Sequence, residues 1–326
     1  MVKVLVFGTG AVGSVYGYIA HKGGASVTAV CRSNYEAVKA NGISIQSAGW
    51  GNGLCRPNVV TSAIEAVEYG PFDYVLVCTK AYPGIAEQIA NAVSLDTVII
   101  LAQNGIEIEG EYAYLYPQNT LISGVVWLPT TQVAPGVIQM GSEERFEIGT
   151  YPASASRKDK LKTEQFSELW TYGGGYVLIF DDVQPYRWMK LAINCAFNPM
   201  CALARCDSTN LLNSSEDADD MIVNILRQVS IIALAEGYQN LDEESIQASM
   251  AWHRSKKQSG GKEPSMLVDA NNGRPIEVEA ILGNTVRIAR RHGIHASYLE
   301  LLYTLAKALN FSISKPEGWK QLDHCA

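Results

Sequence analysis

Short apolar, strand-like runs alternate with helical stretches over the first half of the chain, and then the pattern changes. Residues 2–7 form the first run, and residues 14–22 follow as a helix. Residues 26–31 read as a second strand and 41–45 as a hairpin turn with a short strand; further strands fall within 69–78 and at 97–102. From residue 121, strand follows strand, at 121–127, 136–140 and 145–149. Such succession predicts an antiparallel extension on a parallel sheet. A helix over 160–171, a glycine turn at 173–175 and a strand over 176–180 close this half.

Beyond residue 185 the periodicity is helical, at 185–198, 211–237, 246–255, 263–269, 276–283, 285–293 and 298–309. Gly237 suits a helix C-cap. Pro275 suits a first helical turn, where Glu277 and Glu279 meet the positive dipole end. The basic stretch 256–262 reads as a solvated loop, and Arg287, Arg290 and Arg291 as a solvated basic face.

Between the first strand and the first helix stands Gly8-Thr9-Gly10-Ala11-Val12-Gly13. In a dinucleotide site the first glycine makes the tight turn, the second admits the pyrophosphate, and the third lets helix pack on strand. The helix start adds free N–H groups and a positive dipole end. The expected fold is therefore α/β: a Rossmann-type parallel sheet with an antiparallel extension, followed by an all-α C-terminal domain. The boundary is placed at Asp182, giving domains 1–182 and 183–326.

Arg32 ends the second strand about 20 residues past the glycines, where this fold reads the adenosine ribose. An acidic residue there favours NAD, whereas arginine matches a 2′-phosphate. Arg32-Ser33-Asn34 offers three donors in a row, so NADPH is the expected cofactor. Lys80, in Thr79-Lys80-Ala81-Tyr82, sits at another carboxyl strand end, as a second 2′-phosphate partner or a solvated lysine. Gln103-Asn104-Gly105 ends a further strand, where it faces the cofactor rather than serving only as a turn.

Composition narrows the alternatives. The 326 residues are 47% hydrophobic and 18% charged, in the range of a globular enzyme. A net charge of −7 gives no case for nucleic acid or an anionic membrane. No apolar run reaches the roughly 18–20 residues that span a bilayer. A structural strand beginning at Val2 argues against a signal peptide, so a cytoplasmic protein is expected. The seven cysteines form no C-x-x-C pair and read as reduced thiols. Cys195, Cys201 and Cys206 lie on an apolar segment without histidines, and His292 and His295 have no cysteine or carboxylate beside them in the chain, so no metal is expected.

Lys190, Asn194 and Asn198 are four apart on an otherwise apolar helix, drifting about 40° per step along one face. So apolar a helix is expected to be buried, and an unpaired buried lysine is costly. The stripe is either a structural network with a carboxylate elsewhere or a pocket floor. With a reduced cofactor already read, the second is taken, with Lys190 as a proton donor whose pKa burial lowers.

Taken together, the glycine loop, Arg32, Thr79-Lys80-Ala81, Gln103-Asn104-Gly105, Lys190-Leu191-Ala192-Ile193-Asn194 with Asn198-Pro199, Pro264-Ser265-Met266-Leu267 with Asp269, and Gly273-Arg274-Pro275-x-Glu277 resemble the ketopantoate reductase (2-dehydropantoate 2-reductase) family over nearly the whole chain. The resemblance implies NADPH-dependent reduction of a 2-oxo acid, ketopantoate to (R)-pantoate in pantothenate biosynthesis, in a cleft between two domains. It allows a homodimer. It implies Lys190 as general acid, Arg32 and Lys80 on the 2′-phosphate, and Asn104 near the nicotinamide, binding cofactor or substrate. Asn194, Asn198 and Ser265 would bind substrate polar groups, and Glu277 would hold the substrate hydroxyl or partner Lys190. One departure stands out: after Gln103-Asn104-Gly105 the family continues with an aliphatic residue and a glycine, whereas this chain has Ile106-Glu107-Ile108-Glu109. Glu107, with Trp127 and Pro129 lining the same pocket, would reshape the substrate site. The alternative that the resemblance leaves open is a dehydrogenase of the same family acting on another 2-oxo or (R)-2-hydroxy acid. A non-catalytic NADPH sensor is the reading of a different class, and Lys190 and Glu277 argue against it.

Overall fold

The computed structural model describes residues 1–257 and 261–314, so the expected basic loop at 256–262 lies partly outside the described residues. The chain divides into two compact units, Met1–Arg187 and Trp188–Ala326.

Twelve strands belong to the first unit: β1 Lys3–Phe7, β2 Ser26–Val30, β3 Ile43–Ser47, β4 Gly51–Cys55, β5 Asn58–Val60, β6 Tyr74–Val77, β7 Val98–Leu101, β8 Leu121–Trp127, β9 Thr130–Ala134, β10 Val137–Met140, β11 Arg145–Tyr151 and β12 Val177–Ile179. Its helices are α1 Ala11–Lys22, α2 Tyr35–Asn41, α3 Ala63–Ala66, α4 Ile85–Gln88, α5 Gly110–Leu115 and α6 Arg157–Tyr172. Eight strands form the main sheet in the order β12-β11-β8-β7-β6-β1-β2-β5. From β8 to β5 every pairing is parallel, and β11 turns antiparallel to β8. The central strands β6 and β7 are buried at every position, as strands covered on both faces must be.

The antiparallel extension is narrower than the strand succession predicts. Strand 136–140 leaves the main sheet: β10 pairs parallel with β3 and antiparallel with β9, in a second sheet of order β4-β3-β10-β9. Helix α1 packs on β1 and β2 and also touches β3, β4, β9 and β10, so the small sheet covers what the main sheet leaves open. Tyr16, Phe146, Phe166 and Trp170 are buried together, with Tyr16 and Trp170 edge-on at 4.6 Å. Helix α6 starts at residue 157 rather than 160 because the Ser156 hydroxyl accepts the Asp159 N–H at 3.2 Å, an N-cap.

The long helix α7 Gln184–Ala204 gives its first turn to the first unit. The second unit continues with α8 Ser208–Asn213, α9 Ala218–Ala235, α10 Glu243–Ser255, α11 Ser265–Asn271, α12 Asn284–Arg291 and α13 Ser297–Ile313. Helix α9 buries Ile222, Ile225, Leu226, Val229 and Ile232 and packs on α8, α10, α12 and α13. It ends as expected at Gly237, which has φ +94°. The Tyr238 N–H then reaches the Ala233 carbonyl at 2.9 Å. Helix α10 begins at Glu243, three residues before the expected start, because Asp242 caps it through the Ser245 N–H.

One expectation fails here. Pro275 and Glu277 precede the next helix rather than forming its first turn; the Ile276 N–H between them donates to the Asn310 side chain at 2.8 Å. Helical structure begins only at Val278 and runs through a π-helical turn, Glu279–Gly283, into α12. The arginine face is exposed, as expected, and it is also ion-paired: Arg287 with Glu279 at 2.8 Å, Arg290 with Glu300 at 3.1 Å and Arg291 with Glu236 at 3.6 Å. Glu236 also meets His292 at 2.6 Å, a carboxylate neighbour that chain position hid.

Candidate active site

In the first unit, the chemistry-bearing loops gather at one sheet edge. The glycine loop follows β1, Arg32 follows β2, Lys80 follows β6 and Asn104 follows β7, all at the carboxyl ends of adjacent parallel strands. Chain progress outward from β1 goes to β2 and β5 on one side and to β6, β7 and β8 on the other. This reversal is the switch point where open α/β sheets bind ligands.

The glycine loop is shaped for a close neighbour. Gly8 has φ +98°, and a Cβ there would come within 2.7 Å of the Thr79 nitrogen. A Cβ on Gly13 would lie 2.2 Å from the Gly8 carbonyl oxygen. Gly10, by contrast, is exposed and nothing lies within 4 Å of where its Cβ would be. Helix α1 has no side-chain cap and no acidic residue in its first turn. An uncapped start beside an open glycine fits a dinucleotide pyrophosphate. Ala11 and Val12 are half-buried in that first turn, whereas Thr9 turns inward, donating its N–H and hydroxyl to the Val30 carbonyl at 3.1 and 2.9 Å.

Arg32 is exposed, with Nη2 on the Gln88 side-chain oxygen at 3.2 Å. The three-donor reading of Arg32-Ser33-Asn34 needs correction. Asn34 is buried, and its amide donates to the Thr9 carbonyl at 2.7 Å and to Gln132 at 3.0 Å. Its side-chain donors go to the glycine loop and to β9 and leave none for a phosphate. Lys80 is half-buried.

At the end of β7 the two polar residues part ways. Asn104 is half-buried at the edge. Gln103 is buried instead of facing a cofactor: its amide donates to the carbonyls of Thr79 and Lys80 at 3.3 Å, and it accepts the Tyr112 hydroxyl at 3.1 Å. Glu107 is exposed with φ +55°. Glu109, two residues on, is 1% exposed and pairs with Arg187, 3% exposed, at 3.1 Å. Burial pulls the Arg187 guanidinium below its ordinary pKa, and the Glu109 carboxylate opposes that pull. Sequence reasoning passed over this pair. An acidic residue next to the apolar Ile108, and an arginine beside the buried Trp188, were its only local signals.

In the second unit, Lys190, Asn194 and Asn198 lie along one face of α7, and Leu191, Ala192, Cys195 and Ala196 lie buried between them. Lys190 and Asn194 are only half-buried, against the expectation of a buried stripe; Asn198 is buried. Pro199 interrupts the N–H ladder of this helix directly after Asn198. Ser265 is the exposed first residue of α11. Helix α11 is closed by a turn in which Arg274 folds back onto Asp269 at 3.0 Å. Glu277 is buried just before Val278, the residue that leads into the π-helical turn. Among the described residues no group of three His, Cys, Asp or Glu is placed to hold a metal ion, and no helix is long and apolar enough to cross a membrane.

The family model described as ketopantoate reductase PanE/ApbA matches residues 4–153, and its C-terminal counterpart matches residues 182–310. A solved 2-dehydropantoate 2-reductase from Methylococcus capsulatus is 36% identical, with a TM-score of 0.81 over 97% of this chain and 99% of that one. A 2-dehydropantoate 2-reductase from Nostoc sp. is 25% identical over 311 residues, covering 94% of this chain and 95% of the relative. A D-mandelate dehydrogenase shares the fold at 20% identity, with a TM-score of 0.85 over 96% of this chain and all of that one. The switch-point edge with its glycine loop, the helical second unit and these matches agree: the chain belongs to the ketopantoate reductase family of Rossmann-like NAD(P)-binding oxidoreductases.

Proposed function

We propose that this protein reduces 2-dehydropantoate to (R)-pantoate with NADPH. The observation that carries the reading is the exposed Arg32 at the carboxyl end of β2, on the same sheet edge as the open, uncapped start of α1. A guanidinium in that place suits a 2′-phosphate, and the helix start suits the pyrophosphate. Substrate choice draws on the names of the relatives, among them the Methylococcus capsulatus enzyme.

Bound NADPH supplies the hydride. The chain's own residues do the rest. The domain 1–182 holds the cofactor through Gly8–Gly13, Arg32 and Lys80, with Asn104 toward the nicotinamide end. The domain 183–326 holds the acid: Asn194, Asn198 and Ser265 orient its carboxylate and hydroxyl, and Glu277 holds the substrate hydroxyl or partners Lys190. Orientation of this kind fixes the carbonyl carbon for attack. Reduction leaves an alkoxide, and Lys190 donates the proton that neutralises it.

The test is NADPH oxidation across a panel of 2-oxo acids, with NADH run in parallel. The reading expects 2-dehydropantoate to have the highest kcat/KM, and an aromatic or branched 2-oxo acid turned over far better would overturn it. Arg32→Ala is expected to weaken NADPH binding about 10–100-fold, the worth of charge-assisted hydrogen bonds, and to leave NADH binding nearly unchanged. Equal loss for both cofactors would remove Arg32 from the 2′-phosphate.

A further inference from the structure

The buried pair Glu109–Arg187 closes around one residue of the site. Arg187 Nη1 donates to the Gln103 carbonyl at 3.0 Å and to the Gly105 carbonyl at 3.1 Å, the two carbonyls that flank Asn104. Nη2 donates to the Ser123 hydroxyl at 2.7 Å and to the Gly124 carbonyl at 2.9 Å, tying that loop to the neighbouring strand β8. Glu109 Oε1 accepts from Ser123 at 2.5 Å and from the Gln184 amide at 2.8 Å, besides its ion pair. The Gln103 side chain is fixed independently on Thr79, Lys80 and Tyr112. Both neighbours of Asn104 are therefore held, while Asn104 itself stays half-exposed at the ligand edge.

A buried ion pair is a poor device for stability alone, since apolar residues of like shape often serve as well. A guanidinium adds a rigid planar fork of five donors, which reaches several acceptors in fixed directions. We propose that Arg187 and Glu109 are positioning residues that act through Asn104, holding its backbone so that its side chain meets cofactor or substrate in one orientation. The proposal rests on Asn104 working at the reductase site as read above.

Arg187→Lys keeps the positive charge and most of the stem, but its compact ammonium cannot bracket both carbonyls and also reach β8. Two measurements on the full chain with NADPH bound decide the matter. In amide hydrogen exchange, Arg187→Lys is expected to speed exchange over residues 103–106 about tenfold or more, with α1 unchanged. Unchanged exchange there overturns the clamp. In 2-oxo acid reduction, Arg187→Lys is expected to lower kcat/KM about tenfold in the parent but less than about twofold in an Asn104→Ala background. Equal losses in both backgrounds, or no loss in the parent, would show that Arg187 does not act through Asn104. If Arg187→Lys does not fold, Glu109→Gln goes through the same cycle, with the same non-additivity expected. A parent that reduces no 2-oxo acid would defeat the proposed function while the exchange measurement still judged the clamp.

Discussion

Glu109 and Glu144 are both buried in the first unit, at 1% and 6% exposure, and they are held in different ways. Glu109 carries a guanidinium, a hydroxyl and an amide. Glu144 takes two neutral donors, the Tyr176 N–H at 2.6 Å and the Trp170 indole N–H at 3.3 Å. Burial pushes the Glu144 carboxyl up to about 7, and the two hydrogen bonds only moderate the rise. The same burial, with its nearness to Glu144, raises the Tyr16 hydroxyl beside it. The two carboxyls differ in the charge of their partners rather than in depth. One glutamate organises a strand-end loop, and the other makes the core sensitive to pH.

The strongest way to break this contrast is to take the cation away. Arg187→Met leaves the Glu109 carboxyl buried without its partner and is expected to cost about 3–5 kcal/mol in urea unfolding. Adding Glu109→Leu to it should recover most of the loss, since the orphaned charge goes too. A cost below about 1 kcal/mol for the single change would mean that the ion pair does not hold the loop.

Glu144 gives the next largest effect, with its sign fixed by linkage. Its folded pKa lies above the ordinary 4.5. Its contribution to stability is therefore fully present below 4.5 and lost as pH rises through about 7. At about 1.4 kcal/mol per pH unit this amounts to about 3 kcal/mol. Denaturation midpoints of the parent should fall over that window relative to Glu144→Gln, whose profile lacks this component. Parallel profiles would place Glu144 in contact with water. Ser123→Ala is the smallest of the three. It removes a hydroxyl that serves both members of the ion pair, at an expected cost of about 1–3 kcal/mol. Loss of stability with unchanged exchange at residues 103–106 would separate the pair's stability from its hold on Asn104.

What the sequence disclosed follows the range of the interactions. The glycine loop was legible because its strand, turn and helix are contiguous, and the place of Arg32 just past β2 because this fold sets its distance from the glycines. Pairings between distant segments were not. Strand β10 joins β3 from some ninety residues away, so 136–140 read as part of the main sheet. Arg187 meets Gln103 across 84 positions and Ser123 across 64, which no local period reveals. Asn34 looked like a free donor because its acceptors, Thr9 and Gln132, lie in other elements. Some signals were local and still passed over: Ser156 and Asp242 are ordinary N-caps that would have fixed the starts of α6 and α10. The half-buried Lys190 shows the limit of composition, since an apolar helix need not bury its one polar face.

In the proposed reaction the chain's own lysine completes the reduction. Lys190→Ala tests it most directly, with NADPH binding and 2-dehydropantoate-dependent NADPH oxidation measured on the same preparation. NADPH binding is expected within about twofold of the parent and kcat lower by about 10²–10⁴, the worth of a positioned general acid. A kcat within about threefold of the parent, with NADPH still bound, would contradict it.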